Sequence, residues 1–399
     1  MMTRSADVAV VGGGIVGLAF ALAAAKEGRS VVLFDRDRKA QGASVRNFGM
    51  LWPIGQPSGS LHRLAIRSLE IWLDLAAQAG ISFDPCGSLH LAYREDELAV
   101  LEEFTDQSEK LGHDCGMLSP SATLQRSPSV HLEGLLGSLW SPTEVNVDPR
   151  QAVARIPDYL RETFGVKLRF GSTVSAVEMP FVRTSDGECW EVGRTVVCGG
   201  SDFQTLFPEV FDDSGLRLCK LQMMRTRSQP DGWRLGPMLA GGLTLCHYPT
   251  FRACPSLVRL QRRVAESMPE FVRHGIHVMA AQNPLGEVVI GDSHEYDEAI
   301  EPFNKPAIDV LILEYLRKMV RLPDWTVETN WHGVYAKHPT RPIFTAEPQP
   351  GVWIVTAPGG AGMTLAFGMA ENLWNNWPTS TFAQPVLAAP FKDYQPSGK

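Results

Sequence analysis

The 399-residue sequence has no Cys-x-x-Cys pair, although it contains seven cysteines. The absence of that spacing excludes zinc-ribbon and thioredoxin-like motifs, and an odd number of scattered cysteines argues against a disulfide framework. We therefore expect reduced thiols and a cytoplasmic protein.

The sequence also lacks an excess of positive charge, because 37 Lys and Arg stand against 44 Asp and Glu. This balance excludes a general nucleic-acid binder and a polybasic membrane-surface protein. The sequence contains no His-Glu-x-x-His motif and no carboxylate cluster. His247, His277 and His294 lie far apart along the chain, so we predict no metal site.

An uncharged run from Val8 to Ala25 follows Arg4 and resembles a signal peptide or a short membrane span. Four glycines interrupt this run, however, and a second apolar run follows it and ends at Asp35. The pattern therefore favours a buried strand, a turn and a helix over a membrane segment.

The glycine motif Gly12-x-Gly14-x-x-Gly17 lies between an apolar strand and an Ala- and Leu-rich helix. The first glycine permits a tight turn, the second lets the backbone approach a pyrophosphate, and the third lets helix and strand pack closely. Asp35, at the end of the next strand, is placed to accept hydrogen bonds from ribose hydroxyls. The unit predicts dinucleotide binding, but the motif alone leaves FAD and NAD both open.

The middle of the chain predicts a second sheet that is largely antiparallel. Its expected strands are Ser88–Tyr93, Leu216–Arg225, Leu243–Tyr248, His277–Gln282 and Glu287–Gly291. Near the end, a buried strand at Val352–Thr356 precedes a glycine-rich turn and a helix. A helix N-terminus there can face the negatively charged edge of a reduced flavin, which favours FAD.

Four segments together resemble the superfamily of D-amino-acid oxidase, glycine oxidase and sarcosine oxidase. They are Gly12–Gly17, Gly42–Met50, Trp331–Gly333 and Gly359–Thr364. Within this resemblance, the segment Arg46–Pro57 is similar to a subgroup associated with aminophosphonate breakdown.

The expected fold class is α/β plus α+β, with two interleaved domains. A Rossmann-like FAD-binding domain is expected from residues 1–84, 145–215 and 328–385. A substrate-binding domain on a mostly antiparallel sheet is expected from residues 85–144 and 216–327.

The resemblance implies a set of residues that contact FAD. They are Gly12, Gly14, Gly17, Asp35 and Arg36 at the ADP half; Ser44, Arg46, Asn47, Gly49 and Met50 at the pyrophosphate and flavin; the Val174 backbone at adenine; and Gly360, Gly362, Met363 and Thr364 at the flavin ring. Gly333 stands where sarcosine oxidases carry the cysteine that links the flavin. The resemblance therefore implies that FAD is bound non-covalently.

Two departures from the family pattern concern the substrate. Tyr335 stands where glycine oxidases carry an arginine that clamps the substrate carboxylate, and Thr364 stands where sarcosine oxidases carry a carboxylate-binding lysine. Lys337, His338 and Arg341 follow closely and are candidates for holding a tetrahedral dianion. The alternative is a solvated basic loop without a ligand.

Further substrate-site candidates come from other parts of the chain. Tyr248 occupies the position of an active-site tyrosine in the relatives, although such a tyrosine can also be a packing residue. Gln56 and Trp52 lie on a loop that is expected to cover the flavin.

The predicted function is FAD-dependent oxidation of 2-aminoethylphosphonate or its N-methyl form to phosphonoacetaldehyde. Oxygen or another acceptor would reoxidise the flavin, and no nucleic acid or membrane partner is expected. Three alternatives stay open: a glycine-, sarcosine- or D-amino-acid-oxidising enzyme, or the corresponding dehydrogenase; an NAD-dependent dehydrogenase; and a non-catalytic nucleotide-binding protein.

Overall fold

The computed structural model describes residues 4–377. The strands are β1 (Arg4–Val11), β2 (Val31–Asp35), β3 (Met50–Leu51), β4 (Phe83–Asp84), β5 (Ser88–Ala92), β6 (Gly116–Leu118), β7 (Gly137–Ser141), β8 (Val145–Val147), β9 (Lys167–Phe170), β10 (Val174–Glu178), β11 (Phe181–Thr184), β12 (Cys189–Val197), β13 (Arg217–Ser228), β14 (Met238–Ala240), β15 (Met279–Gln282), β16 (Glu287–Gly291), β17 (Glu295–Asp297), β18 (Val327–Lys337), β19 (Phe344–Gln349) and β20 (Val352–Thr356).

The α-helices are α1 (Ile15–Lys26), α2 (Ser60–Ala79), α3 (Glu95–Leu111), α4 (Pro120–Arg126), α5 (Pro149–Phe164), α6 (Pro208–Asp212), α7 (Leu243–His247), α8 (Leu257–Ser267), α9 (Pro269–Arg273), α10 (Pro306–Arg317) and α11 (Gly362–Asn375). Short 3₁₀ turns lie at Ala43–Val45, Pro53–Gly55, Pro230–Gly232, Pro249–Ala253 and Gly359–Ala361.

The first sheet is parallel at its centre, where β1 lies between β2 and β12. The parallel strands β9 and β20 extend it beyond β2 and β12, and antiparallel partners complete it on the β12 side. Helices α1, α2, α5 and α11 cover one face, and their apolar side chains form one continuous core with β1 and β2. Strands buried on both faces explain the unbroken apolar runs at Val8–Val11 and Val31–Phe34.

The second sheet has the order β17-β13-β16-β15-β14-β5-β7-β6, and β18 also pairs with β13. Its strand pairs are antiparallel except for β5 and β14. These two sheets confirm the expected fold class, a Rossmann-like unit combined with a mostly antiparallel second sheet.

The division into domains by residue number stays a prediction. Most of strand β18 falls in the segment 328–385, which is expected to belong to the FAD-binding domain. The strand nevertheless pairs along its length with β13 of the second sheet. Residues 378–385 of that segment lie outside the described residues.

The prediction of a strand at Leu243–Tyr248 is wrong, because residues Leu243–His247 form the short helix α7. Strand β14 ends at Ala240, and Gly241 and Gly242 then turn the chain. The Thr244 hydroxyl donates to the Gly241 carbonyl and stabilises this turn. A short apolar run does not distinguish a strand from a buried helix.

Within residues 4–377, we find no helix with the length and apolar character needed to cross a bilayer. The uncharged run that begins at Val8 is divided between β1 and α1.

Helix α1 packs against β1 without room for a side chain at Gly17. A Cβ atom there would lie 1.8 Å from the Gly12 carbonyl oxygen and 3.3 Å from Val10 Cγ1. Real carbon–oxygen contacts are far longer, so the helix would have to move away from the sheet.

We predict that Gly17→Ala lowers the free energy of unfolding by about 2 kcal/mol or more, since the overpacked contact is with backbone. Gly116→Ala is the matched control, because a Cβ at Gly116 meets no atom within 4 Å. Chemical denaturation of both variants checks the prediction. Equal stability of the two would show that α1 adjusts without cost.

Candidate functional site

A large cavity opens at the carboxyl ends of β1, β2 and β12. Its walls come from the first glycine turn, the loop at 41–47, residues 172–174 and 198–202, strand β18 and the second glycine turn at 358–363. We call it the central cavity. It has the position expected for a ligand site in a parallel sheet, outside the carboxyl ends of the strands.

Most of the predicted FAD contacts line this cavity. They are Gly12, Gly14, Asp35, Arg36, Ser44, Arg46, Asn47, Val174, Gly360, Gly362 and Met363. The predicted contacts that do not line it are Gly17, Gly49, Met50 and Thr364. Of the six substrate-site candidates, Tyr335 lines the cavity, whereas Gln56, Tyr248, Lys337, His338 and Arg341 do not.

The first glycine turn has the geometry that a pyrophosphate needs. Gly12 has a φ of 109°, and a Cβ there would lie 2.3 Å from the Cys198 carbonyl oxygen. The turn delivers the N-terminus of α1 to the cavity, where Ser44 Oγ accepts a hydrogen bond from Ile15 N at 2.9 Å. The positive end of a buried helix and its free N–H groups suit an anionic diphosphate.

Asp35 lies at the end of β2, as the motif predicts. Its carboxylate accepts hydrogen bonds from Gly13 N at 2.6 Å and from Asp37 N at 2.8 Å. The carboxylate therefore shapes the glycine turn and faces the cavity at the same time. Arg36, next in sequence, pairs with Asp202 at 2.8 Å on the opposite wall.

The loop after β2 is held by Asn47. Its amide nitrogen donates to the carbonyls of Ala43 and Ser44, each at 3.0 Å, and its oxygen accepts from Gly49 N at 2.8 Å. Arg46 donates to the His332 carbonyl at 3.2 Å and connects the loop to β18. Both side chains fix the loop that borders the cavity.

The second glycine turn leads into α11 and is tied by hydrogen bonds to the loop at Trp52 and to helix α2. Thr364 Oγ1 accepts a hydrogen bond from Trp52 N at 2.9 Å. Trp72 Nε1 donates to the Met363 carbonyl at 2.8 Å. The turn is thereby fixed from two sides.

Trp52 and Tyr248 stand side by side, with ring centroids 6.2 Å apart, and the Tyr248 ring lies 5.7 Å from His277. Burial raises the pKa of Tyr248 above its usual range, so its hydroxyl stays protonated. Gln56 is buried at the end of the adjacent 3₁₀ turn. Glu144 orients this turn, since it accepts hydrogen bonds from Ile54 N and Ser88 Oγ, each at 3.0 Å.

Tyr335 and Lys337 are two residues apart on β18, so their side chains point to the same face of the sheet. A Cβ built on Gly360 would lie 3.5 Å from the Tyr335 hydroxyl, which places this hydroxyl against the second glycine turn. Burial raises the pKa of Tyr335 well above its usual value. Lys337 Nζ donates to the Tyr296 hydroxyl at 3.0 Å, and burial lowers the pKa of this ammonium group.

His338 and Arg341 follow the end of β18 and do not join Lys337. His338 Nδ1 accepts hydrogen bonds from Arg341 N at 2.9 Å and from Thr340 N at 3.1 Å, so the imidazole stabilises its own turn. Arg341 is exposed. Of the three cations predicted to act together, only Lys337 reaches the interior.

Sequence reasoning missed one group of residues. The side chains of His247, His277 and His294 meet, with potential ligand atoms within 4.8 Å of one another. The expectation that they are too far apart for a common site is therefore wrong. We call them the histidine cluster.

A signal for this cluster was present in the sequence. The hairpin of β15 and β16 pairs Met279 with Gly291, and His277 and Asp292 continue the ladder by exchanging backbone hydrogen bonds. Two adjacent apolar strands joined by Asn283–Gly286 predict this pairing, and residues flanking its open end must then be neighbours. The approach of His247 from α7 had no such signal.

Comparison with known proteins agrees with this geometry. The family model described as "DAO: FAD dependent oxidoreductase" matches residues 7–374. The chain belongs to this family. FAD is accordingly its cofactor, and the glycine turns, the N-terminus of α1 and Asp35 are the groups that would hold it in the central cavity.

Related sequences are similar over different shares of the chain. The bifunctional protein ThiO/ThiG of a Nostoc species is 24% identical over 379 residues, which cover 92% of this chain and 51% of the relative. Glycine oxidase of Geobacillus kaustophilus is 28% identical over 163 residues, covering 39% of this chain and 43% of the relative. The chain thus spans about half the length of the bifunctional relative that it matches.

Solved structures share the fold. Glycine oxidase of Bacillus cereus superposes with a TM-score of 0.73 at 19% identity, covering 92% of this chain and 93% of that one. L-proline dehydrogenase of P. horikoshii superposes with a TM-score of 0.76 at 19% identity, covering 95% of this chain and 96% of that one. The FAD-bound L-α-glycerophosphate oxidase of Mycoplasma pneumoniae gives 0.72 at 17% identity, covering 96% and 98%.

We predict that Asp35→Asn weakens FAD binding about ten-fold or more, because a charge-assisted acceptor of the glycine turn and of the ribose is lost. Asp106→Asn is the matched control, since Asp106 is exposed on α3 and does not line the cavity. Titration of the apoprotein with FAD measures both dissociation constants. Equal constants for Asp35→Asn and the native protein would place the ribose elsewhere.

We also predict that acid precipitation releases all the flavin into the supernatant as FAD. Gly333 offers no sulfur, and among the cysteines of the described residues only Cys198 lines the cavity. Burial raises the pKa of the Cys198 thiol, which disfavours the reactive thiolate. Yellow colour that remains in the washed pellet would contradict non-covalent binding.

Proposed function

We propose that this protein is an FAD-dependent amine oxidoreductase that oxidises a small aminophosphonate, 2-aminoethylphosphonate or its N-methyl form. The observation that carries the proposal is the Lys337 ammonium group. It is half-buried beside Tyr335 and the second glycine turn, and among residues 4–377 no carboxylate lies within 4.0 Å of it.

A buried cation without an ion-pair partner is unfavourable unless an anion is brought to it. The hydrogen-bond acceptor found for Lys337 is the neutral Tyr296 hydroxyl. Asp292 lies in the same surroundings, but its carboxylate makes its close contacts with His277 and His294. An anionic group on the substrate would supply the missing charge.

The form of the cation favours a phosphonate over a carboxylate. An arginine fork matches the planar carboxylate of an amino acid with two parallel hydrogen bonds, and Tyr335 stands where that fork is expected. Lysine is instead a compact point charge with three rotatable donors, which suits a tetrahedral oxyanion. The Tyr335 hydroxyl, protonated because it is buried, can donate one further hydrogen bond.

When bound, FAD supplies the acceptor for the hydride that leaves the α-carbon of the amine. The chain must orient that C–H bond, exclude water and hold the anion. Hydrogen bonds of Trp52 N to Thr364 and of Ile54 N to Glu144 hold the loop from which Trp52 packs beside Tyr248, and these two rings form an aromatic wall. Their burial keeps the amine in its neutral, reactive form without a dedicated side-chain base.

The neutral amine loses two electrons and one proton together, as a hydride, to give an iminium ion, which releases a second proton as it becomes the imine. Water then adds to the imine carbon, and the C–N bond breaks to give phosphonoacetaldehyde with ammonia or methylamine. Oxygen would take up the two electrons and two protons as hydrogen peroxide, or another acceptor would replace it. The proposed setting is the cytoplasm, in keeping with seven free thiols.

A second candidate is a glycine- or sarcosine-type amino acid. It is favoured by the names of similar proteins, among them the glycine oxidase of Geobacillus kaustophilus and the mitochondrial sarcosine dehydrogenase of Mus musculus. Anaerobic mixing of the flavoprotein with 2-aminoethylphosphonate, its N-methyl form, glycine and sarcosine separates the candidates. We expect the aminophosphonates to bleach the flavin band with a higher second-order rate constant of reduction than glycine or sarcosine.

We predict that Lys337→Met lowers kcat/KM for 2-aminoethylphosphonate about 30-fold or more, because removing one partner of a buried charge pair costs about 2–5 kcal/mol. Oxidation of propylamine, which has no anionic group, should change far less. Both rates are measured under identical conditions, so a folding defect would lower them together.

Arg341→Ala is the matched control for this experiment, because Arg341 is a neighbouring cation that is exposed. We expect its discrimination between the two amines to equal that of the native protein. If Arg341→Ala selectively lowered kcat/KM for 2-aminoethylphosphonate and Lys337→Met did not, the anion site would have to lie in the turn that follows β18.

A further inference from the structure

The histidine cluster lies beside Tyr335 and Tyr248, two of the residues proposed for the substrate site. The His294 ring is 6.5 Å from the Tyr335 ring, and His277 is 5.7 Å from Tyr248. Ring centroids within the cluster are 4.0 Å (His247–His277), 4.3 Å (His247–His294) and 5.0 Å (His277–His294) apart. No hydrogen bond joins one of these imidazoles to another among the contacts that the structure describes.

The hydrogen bond of His294 determines which nitrogen carries its proton. Nδ1 lies 3.1 Å from the Gly275 carbonyl oxygen, which can only accept. Nδ1 is therefore the donor, and Nε2 presents a lone pair to the interior. An imidazole whose outer nitrogen donates to a backbone carbonyl is the arrangement that orients histidines as metal ligands.

The Asp292 carboxylate faces the same space. Its Oδ1 lies 3.1 Å from His277 Nε2, and its Oδ2 lies 3.9 Å from His294 Nε2. Although His277 Nε2 and Oδ1 are close, they are not aligned as a hydrogen bond, and Oδ1 and His277 Nδ1 are buried polar atoms without a partner in the described structure. A lone pair that faces a carboxylate oxygen requires a cation or a proton between them.

Metal coordination accounts for these separations. Four ligands at about 2.0–2.1 Å from a zinc ion lie about 3.3–3.4 Å from one another, so the 3.1 Å contact is already near a ligand–ligand edge. The histidine nitrogens, all within 4.8 Å, need inward movements of less than about 1 Å.

Direct binding of an anion by the cluster fits less well. An oxyanion needs N–H donors, whereas His294 has already used its proton on Gly275. Three imidazoles whose nitrogens approach one another, next to one carboxylate, are a donor set for a divalent ion.

We propose that His247, His277 and His294, with Asp292 as the fourth ligand, form a binding site for a divalent metal ion of the zinc type. The site lies outside the central cavity and does not depend on which amine is oxidised. Three nitrogen ligands and one oxygen ligand complete a tetrahedral shell, so the role of the ion is to hold α7 against the β15–β16 hairpin.

The test is the metal content of the FAD-loaded protein, purified after growth with ZnCl₂ and measured by inductively coupled plasma mass spectrometry. We expect about one zinc ion per FAD in the native protein. His277→Gln and His294→Gln should each contain less than about one-tenth of that amount, because the loss of a ligand weakens binding by more than the 10–100-fold typical of outer-shell changes.

His113→Gln is the matched control, since His113 is also buried and contacts a second imidazole, His62, at a centroid distance of 3.9 Å. We expect it to retain the full zinc content. The flavin absorption band shows in each variant whether the fold and the cofactor are kept.

The native protein alone also tests the zinc site, so the test holds even if the histidine variants fail to fold. Removal of the metal with a chelator should lower the melting temperature, and ZnCl₂ should restore it, since a ligand that binds only the folded state stabilises that state. Native protein without zinc after incubation with ZnCl₂, and with an unchanged melting temperature, would overturn the proposal. Because no substrate is present, this result is independent of the proposed amine oxidation.

Discussion

The close approach of α1 to β1 is the constraint on which the central cavity depends. Gly12 lies against the Cys198 carbonyl and Gly17 against the Gly12 carbonyl, so neither position has space for a side chain. This contact fixes the distance from the helix N-terminus to the carboxyl ends of β1 and β12. The position of any diphosphate in the cavity follows from it, because the N–H groups that bind phosphate belong to the same turn.

The parts of the fold that depend on neighbouring residues could be predicted from the sequence. The strand, glycine turn and helix at 4–26 is a local unit, and its burial on both faces is visible in the unbroken apolar run. The end of β16 at Gly291 was also predictable. The segment Leu243–His247 was not, since its helical form depends on the turn at Gly241 and Gly242 and on the surrounding core.

The candidate site residues also divide into those that a local motif places and those that the packing of distant segments places. The places of Asp35 and the glycines in the first turn are predictable because a motif fixes their spacing. The three cations after Tyr335 are close in sequence, but β18 ends at Lys337, and the chain then turns outward with His338 bonded to its own backbone. The histidines show the converse, because residues 30 positions apart meet when α7 packs on a hairpin. Separation along the sequence therefore predicts neither which of the three cations reaches the interior nor which histidines meet.

The hydrogen bond from Trp52 to Thr364 has a consequence for the order of assembly. It joins the aromatic wall to the first turn of α11 by a contact within the chain, and Glu144 fixes the same loop at Ile54. The loop and the first turn of α11 are therefore held together by contacts within the chain, before the cofactor arrives. The second glycine turn, which lines the central cavity, is thus ordered in advance, so little of the binding free energy of FAD is consumed in ordering it, which is the thermodynamic advantage of a preorganised pocket.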